Sequence, residues 1–583
     1  MITSFMLNRL KLVWGALLGL MINVSLLAQA PMPAKSAAEI QHALKKLQTV
    51  GSVLYLAAHP DDENQRIIAY YAKGKGYRTA YLALTRGDGG QNLIGGEIGP
   101  HLGMLRTQEL LAARRIDGGE QMFSRAYDFG YSKGPEETLE IWDREKVLGD
   151  VVWAIRKFRP DVIITRFATP EKGGGGHGHH TTSAILAHEA FSLAADPKAY
   201  PEQLKHVETW QPKRLLWNNY WVFRRYQPTD EEKKGIATVN VGEWNPLLGE
   251  SYGEMAMRAR SMHKCQAFGA PLLHGDQIEY LEQELGEPME GNQVMSGVDT
   301  SWDRVPGAGK LGKLLAKAYA EFNAENPAAS VPVLMEAYGE MEGKSGYWYE
   351  VKRKELKDVI IYCAGLYFEL NSAMPQVATG DSAAVTARYL LRDDLDIQLR
   401  SLVLAGQGFP LPAEEGKLVQ GKLYSDKLSF PIKQEPGQPY WLKNPQAKGI
   451  FDVREQTLIG LPENPPALEG TFVFTIGGQE ITFRAPVVHR YVDPAVGELY
   501  RPFIVAPQVA VNISKKVYLF AGDGEQEVQL QVKSFGQPGT VSLSFETPKG
   551  WKVSPETLEL TTSRVGEEQI VTVSVSAPST QSQ

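Results

Sequence analysis

The chain has 583 residues, 43% of them hydrophobic and 22% charged, with a net charge of −7. That is an ordinary globular composition on a chain too long for a single core. The mildly acidic balance, without a basic run, gives no support for nucleic-acid binding. Its two cysteines, Cys265 and Cys363, leave a disulfide optional in a chain this large.

Taken in order, residues 1–30 read as a secretory signal peptide. Arg9 and Lys11 precede an apolar run from Leu12 to Leu27, and Ala28-Gln29-Ala30 supply small residues for cleavage. A retained membrane anchor is the rival, weakened by Asn23 and Ser25 within the run. No later stretch is long and apolar enough to span a bilayer. The expected mature protein is exported, periplasmic or extracellular, with no transmembrane segment.

A helix is predicted over Ala38–Leu47, then a buried strand over Val53–Ala58. The strand stops at His59-Pro60-Asp61-Asp62-Glu63, because Pro60 has no N–H to give to a ladder. A helix over Asn64–Lys73 and a strand over Arg78–Thr85 follow, the latter ending in the Gly-rich loop 86–92. Further helices are expected at Leu105–Ile116 and Leu139–Phe158, with a short strand at 120–126. Asp161–Phe167 is another buried-strand pattern, leading to Gly173–His180 and a helix through Phe191. A strand over Lys213–Val222 and a helix over Tyr252–Phe268 complete the unit. Strands alternating with helices predict a parallel α/β sheet flanked by helices. The expected domains are a catalytic unit at 31–290, a mainly helical segment at 291–380, a β-rich domain at 381–507 and a β-sandwich at 508–578. The last rests on period-two alternation at Val528/Leu530/Val532, Val541/Leu543/Phe545 and Val571/Val573/Val575.

Two loops carry metal-competent side chains just after predicted parallel strands, at the edge where α/β sheets bind ligands. His59 and Asp62 are close enough in one turn to face a single ion, and His180 can approach from the other loop. Two imidazoles and a carboxylate leave tetrahedral zinc one open position for water, the layout of a catalytic site. Asp61 is then free to act as base, and His177 remains as a second acid/base or oxyanion-stabilising group. Each piece has a plainer reading. HPDD alone can be a turn with a helix N-cap, and GGGGHGHH alone a flexible loop. His188 reads as a helix-face residue, and His101 and His263 have no partner pattern.

AHPDDE at Ala58–Glu63, TRGDGG at Thr85–Gly90, LGMLRTQEL at Leu102–Leu110 and HGHH at His177–His180 together resemble the PIG-L (LmbE-like) zinc deacetylases over roughly residues 50–270. The resemblance implies a Rossmann-like fold and removal of N-acetyl groups from N-acetylglucosamine-containing substrates through zinc-activated water. It also implies that His59, Asp62 and His180 are zinc ligands, that Asp61 is the general base, and that His177 steadies the tetrahedral intermediate or protonates the leaving amine. Arg86 matches the arginine that contacts substrate in relatives; a solvated loop charge is its plain alternative. Many relatives have H-P-D-H where this chain has His177-Gly178-His179-His180, and some have a tyrosine where Gly175 stands. Adjacent imidazoles leave a one-residue register choice, and family spacing selects His180.

The expected function is an exported metal-dependent N-deacetylase acting on a glycan or amino-sugar conjugate, with zinc as cofactor and iron or cobalt as substitutes. The alternatives are a metal-dependent amidase for another acyl group, or a non-catalytic glycan-binding protein.

Overall fold

The computed structural model describes residues 34–578, except 223, 292, 413–414, 516 and 521–523. The signal peptide expected at residues 1–30 lies outside the described residues. Among them, no helix is long and apolar enough to cross a membrane.

Strand β1 (Ser52–Ala57) is buried at every position, which is why its sequence shows no polar alternation. It sits inside a seven-stranded sheet with β2 (Arg78–Thr85), β3 (Glu120–Ala126), β4 (Val162–Thr165), β5 (Arg214–Asn218), β6 (Ile236–Asn240) and β7 (Ile278–Gly286). The order is β3-β2-β1-β4-β5-β7-β6. Strands β1 to β5 pair in parallel. The far edge departs from the expected parallel sheet, since β7 runs antiparallel to both β5 and β6. The chain builds outward from β1 to β3, then returns to place β4 on the other side of β1. The switch point between β1 and β4 therefore opens a crevice at their carboxyl ends.

Alternate residues of β1 feed two cores. Leu54 and Leu56 pack with Val151, Ile155 and Leu186 on one face, while Val53 and Tyr55 pack with Ile67, Ile68 and Leu110 on the other. Helix α1 (Ala37–Leu47) precedes the sheet in the chain, and around the sheet run α2 (Gln65–Ala69), α3 (Pro100–Asp117), α4 (Pro135–Ile141), α5 (Arg144–Phe158), α6 (Gly178–Leu193) and α7 (Tyr252–Arg260). The single helix expected over 139–158 is two helices. Asp143 caps the second by accepting from the Lys146 N–H, and the Trp142 indole donates to the Tyr127 carbonyl at 2.9 Å. The helix expected to reach Phe268 ends at Arg260 and gives way to a short 3₁₀ turn at Lys264–Gln266.

A second core joins helices 309–320, 331–340 and 347–364 to an antiparallel-rich sheet built from strands between 366 and 502. Helix α1 belongs to this core: Ile40, Leu44 and Leu47 cluster with Leu311, Leu334 and Leu356 rather than with the parallel sheet. The first strand of that sheet, Leu366–Ser372, falls within the segment expected to be mainly helical. Residues 440–461 leave this region and pack Tyr440, Trp441, Phe451 and Ile459 against Trp153 of α5. Toward the C-terminus, strands 509–513, 525–534, 552–554 and 568–576 form one antiparallel sheet, and 539–544 pairs with 557–562. Trp551 there packs edge-on against Phe520, ring centroids 5.0 Å apart. Cys265 and Cys363 are both free and buried.

Candidate functional site

The turn after β1 is held in an unusual shape. Asp61 has φ +93°, a left-handed conformation that side-chain-bearing residues avoid unless their surroundings impose it. Glu63 Oε2 accepts the Asp61 N–H at 2.9 Å, and Arg106 Nη2 bonds the Pro60 carbonyl and the Asp61 carboxylate, the latter at 2.8 Å. The turn throws Asp62 back onto His59: Asp62 Oδ2 accepts the His59 backbone N–H at 2.7 Å and lies 3.0 Å from His59 Nδ1. Burial pushes the Asp62 carboxyl up, but the imidazoles of His180 and His59 outweigh it and hold it well below the usual carboxylate range. At Asp61 burial prevails over Arg106, and with Asp62 and Glu63 nearby its pKa rises to about 6.

The second loop, after β4, leads into α6. His180 lies flat on Phe167, ring centroids 3.8 Å apart, with Nδ1 3.1 Å from the Gly175 carbonyl. That contact keeps the proton on Nδ1 and turns the Nε2 lone pair toward Asp62 Oδ1, 3.4 Å away. Burial lowers the His180 pKa to about 4, so the imidazole is neutral at neutral pH. A Cβ at residue 175 would stand 2.3 Å from the His180 Cβ, so a tyrosine cannot occupy this place in this loop. A Cβ at Gly178 would strike Ser132 Oγ at 2.1 Å, which fixes glycine between His177 and His179. His177 Nδ1 lies 3.2 Å from the Ser132 N–H and 3.0 Å from the Ser132 carbonyl, and the ring stacks between His59 and Tyr131, centroids 5.4 and 5.3 Å away. Burial lowers its pKa, leaving a neutral ring with a free Nε2.

It is His180 that reaches Asp62. His179 is fully buried against Phe129 and Trp142 and puts Nδ1 3.0 Å from His59 Nε2, with Asp128 Oδ1 at 3.8 Å. Asp128, contributed by the loop after β3, thus puts a carboxylate beside the histidine at position 179. Among the described residues, two sets bring donor atoms within 4.8 Å of one another, His59/His177/His180 and His59/His179/Asp128. Asp62 bridges the first, because its two oxygens face His59 Nδ1 and His180 Nε2. Those separations of 3.0 and 3.4 Å compare with the roughly 3.3 Å between donors around tetrahedral zinc bonded at about 2.0–2.1 Å. Two neutral-capable imidazoles and a carboxylate, backed by Gly175 and His179, fit such an ion.

Arg86 is placed differently from the substrate-contacting role expected of it. It is 1% exposed, its guanidinium donates to Tyr440 Oη and to the carbonyls of Leu461 and Pro462, and it lies over the rings of Phe123 and Trp441. It pins the 440–462 segment to the sheet. Arg86→Met should therefore lower the thermal midpoint, by an amount equivalent to about 2–4 kcal/mol, and open residues 440–462 to protease while leaving KM within twofold. A raised KM with unchanged stability would return Arg86 to the substrate.

The arginine that reaches the Asp61 carboxylate is Arg106, inside the LGMLRTQEL motif but not singled out from the sequence. His263, which showed no partner pattern, is buried 2.8 Å from Glu63. His188 lies 3.5 Å from Glu284, away from the cluster.

Residues 54–191 match the family described as PIG-L: GlcNAc-PI de-N-acetylase. The mycothiol S-conjugate amidase of Streptomyces coelicolor is 32% identical over 174 residues, covering 28% of this chain and 58% of that protein. The 1D-myo-inositol 2-acetamido-2-deoxy-alpha-D-glucopyranoside deacetylase 2 of Frankia casuarinae is 29% identical over 222 residues, covering 34% of this chain and 65% of that protein. The chain thus spans less than two thirds of either relative's length. Among solved structures, the N,N'-diacetylchitobiose deacetylase of Pyrococcus horikoshii is 18% identical and covers 41% of this chain and 88% of its own, at a TM-score of 0.24, too low for the sites to be compared.

Proposed function

We propose that this chain, whose residues 54–191 are a PIG-L family domain, is a metal-dependent amidohydrolase that removes acetyl groups from an N-acetylglucosamine-containing glycan or glycoconjugate. The observation that carries the reading is the convergence of His59, Asp62 and His180 beside a separate carboxylate, Asp61, at the switch point of the sheet. His59 Nδ1, the Asp62 carboxylate and His180 Nε2 would hold the ion, with zinc the first choice for that donor set and iron or cobalt possible substitutes. Bound there, the ion supplies Lewis acidity, polarising an amide carbonyl and acidifying water.

The chain's own groups do the rest. Asp61, ionised at neutral pH, takes the proton from the attacking water, and its contact with Arg106 fixes its direction. His177, with Nδ1 accepting the Ser132 N–H at 3.2 Å, would carry its proton on Nε2 and present it to the reacting carbon's oxygen or to the leaving nitrogen, which must gain a proton as the C–N bond breaks. The products are acetate and a free amine. In the same reading the catalytic unit spans residues 31–290, with its first helix, α1, packed on the helical layer. Residues 508–578 form an accessory β-sandwich, and removal of residues 1–30 on export puts the substrate outside the cytoplasm.

Acetate release from N-acetylglucosamine oligosaccharides tests the reading. Release should stop on chelation, return with zinc, and fail in Asp62→Ala and His180→Ala, whose metal affinity should drop by more than about a hundredfold. No release from any acylated amino sugar, with metal bound, would refute it. The Streptomyces relative is named an amidase for an S-conjugate, which keeps a second reading alive: the same machinery acting on a different acyl-amide. A panel of acyl-amino acids beside the sugars separates the two. A purely glycan-binding role leaves Asp61 without a purpose.

A further inference from the structure

A pocket opens at the end of the parallel sheet opposite the candidate site. It is lined by the first residues of β2 and β3, by the last turns of α3 and α5, and by residues 460–462. The Gly460 carbonyl accepts the Phe123 N–H of the edge strand β3 at 3.4 Å, which ties that last segment to the sheet. From Arg78 in the pocket, β2 runs to Thr85 at its carboxyl end, roughly 23 Å away at about 3.3 Å per residue. The cavity measures about 510 Å³, in the size range of small-molecule sites.

Its lining combines apolar surface with surplus positive charge. Leu111, Met122, Phe158 and Pro462 contribute the apolar part. Four cationic side chains line it, Arg78, Arg114, Arg115 and Lys157, against one carboxylate, Glu120. Arg78 takes that carboxylate through two bonds, at 2.7 and 2.8 Å, and Arg114 is taken by Asp117 and Glu63. Among the described residues Arg115 and Lys157 are left without a carboxylate partner. Glu463 lends Arg115 some opposing charge, but its carboxylate is bonded to Gln108. Lys157 donates to the Thr457 carbonyl at 3.3 Å and lies over the ring of Trp153. Burial and the charge of Arg78 lower the Lys157 pKa, so its positive charge is held at a cost. Two buried polar atoms of the lining side chains are also unmatched. Arg114 Nη1 and Gln121 Oε1 have no hydrogen-bond partner among the described residues, on side chains only 4% and 6% exposed. A donor and an acceptor orphaned together beside one cavity call for an occupant.

We propose that this pocket is a binding site for a small amphipathic anion, a phosphate or carboxylate group carried on an apolar body. The forked donors of Arg115, exposed at the rim, match two oxygens of either head group, and Lys157 adds a point charge. The apolar lining covers the body of the ligand. An inorganic ion would leave that lining bare, and a neutral apolar ligand would leave both cations unpaired. The site is independent of the deacetylase reading, because it lies at the far end of the sheet and uses none of the groups assigned to that reaction.

Calorimetric titration of the metal-loaded full chain provides the test, with phenyl phosphate, phenylacetate, phenol and inorganic phosphate as probes. At least one of the two phenyl anions should bind about tenfold tighter than both phenol and inorganic phosphate. Phenyl phosphate against phenylacetate decides which head group is read. Arg115→Gln and Lys157→Gln, with folding checked by circular dichroism, should each weaken that binding by about fivefold or more. Arg114 is left intact in these variants because it also holds Glu63. The titration is repeated after chelation, since a phosphate or carboxylate can also bind a metal ion; affinity for the pocket should not change. A phenyl anion that binds no tighter than phenol or inorganic phosphate would overturn the assignment. So would binding that survives both glutamine variants, or binding that disappears with the metal.

Discussion

Asp61→Asn should reduce acetate release by about a thousandfold and leave the metal in place, within the range of roughly 10²–10⁴ that a positioned general base contributes. The substitution separates chemistry from structure unusually well at this position. Asp61 sits at φ +93°, and asparagine tolerates left-handed backbone about as well as aspartate, so the turn that aims Asp62 and His59 should persist. The amide keeps an oxygen for Arg106, which lies 2.8 Å from Asp61 Oδ2, but loses the basicity that the proposed general base requires. Metal content by mass spectrometry and turnover by an acetate assay decide the matter together. A loss of less than tenfold with metal retained would show that another group, His177 first among them, takes the proton. Loss of both metal and turnover would show instead that Asp61 helps hold the ion.

The parts of the site that could be read from sequence are those whose neighbours are close in the chain. HPDD makes its own turn: the bonds from Asp62 to His59 span three residues. The His180 contact with Gly175 spans five. Strands β1, β2 and β4 announced themselves as uninterrupted apolar runs because both of their faces are covered. Arg86 shows where such reading ends. Next to Gly87 in a Gly-rich loop it has every local mark of an exposed charge, yet its partners Tyr440 and Pro462 lie 354 and 376 residues away. Asp128 beside His179, and Arg106 beside Asp61, are likewise contacts made only once β3 and α3 take their places. Strands β6 and β7 are not legible in the sequence for a different reason. They form an antiparallel edge in which β7 carries Glu279, Glu282 and Glu284, and their burial is too broken to read as a strand of a buried parallel sheet.

Glu63 is the least conspicuous acid of the motif and should give the largest stability effect. Glu63→Ala is expected to lower the unfolding midpoint of the α/β domain by about 10 °C. That is the consequence of about 3–5 kcal/mol for breaking a buried ion pair in a domain where each kcal/mol moves the midpoint by roughly 2–4 °C. Glu63 is 2% exposed, and Oε1 alone meets His263 Nε2 at 2.8 Å, Gln65 Nε2 at 3.0 Å and Arg114 Nη2 at 3.2 Å. Burial pushes its carboxyl up, but His263 and Arg114 outweigh it and hold the pKa at about 2. A carboxylate depressed in the folded state stabilises fully above its ordinary value and loses that contribution as pH falls toward the folded one. The difference between wild type and Glu63→Ala should therefore be greatest above about pH 5 and shrink toward pH 2–3. Because Glu63 Oε2 also carries the Asp61 N–H, the variant should lose turnover beyond its loss of stability, measured well below its midpoint. Calorimetry at two pH values tests the first part, and a midpoint shift under 3 °C at neutral pH would mean that Asp117 alone suffices for Arg114. If instead stability falls but turnover per folded molecule does not, the strained turn at Asp61 is held by Arg106 without help from Glu63.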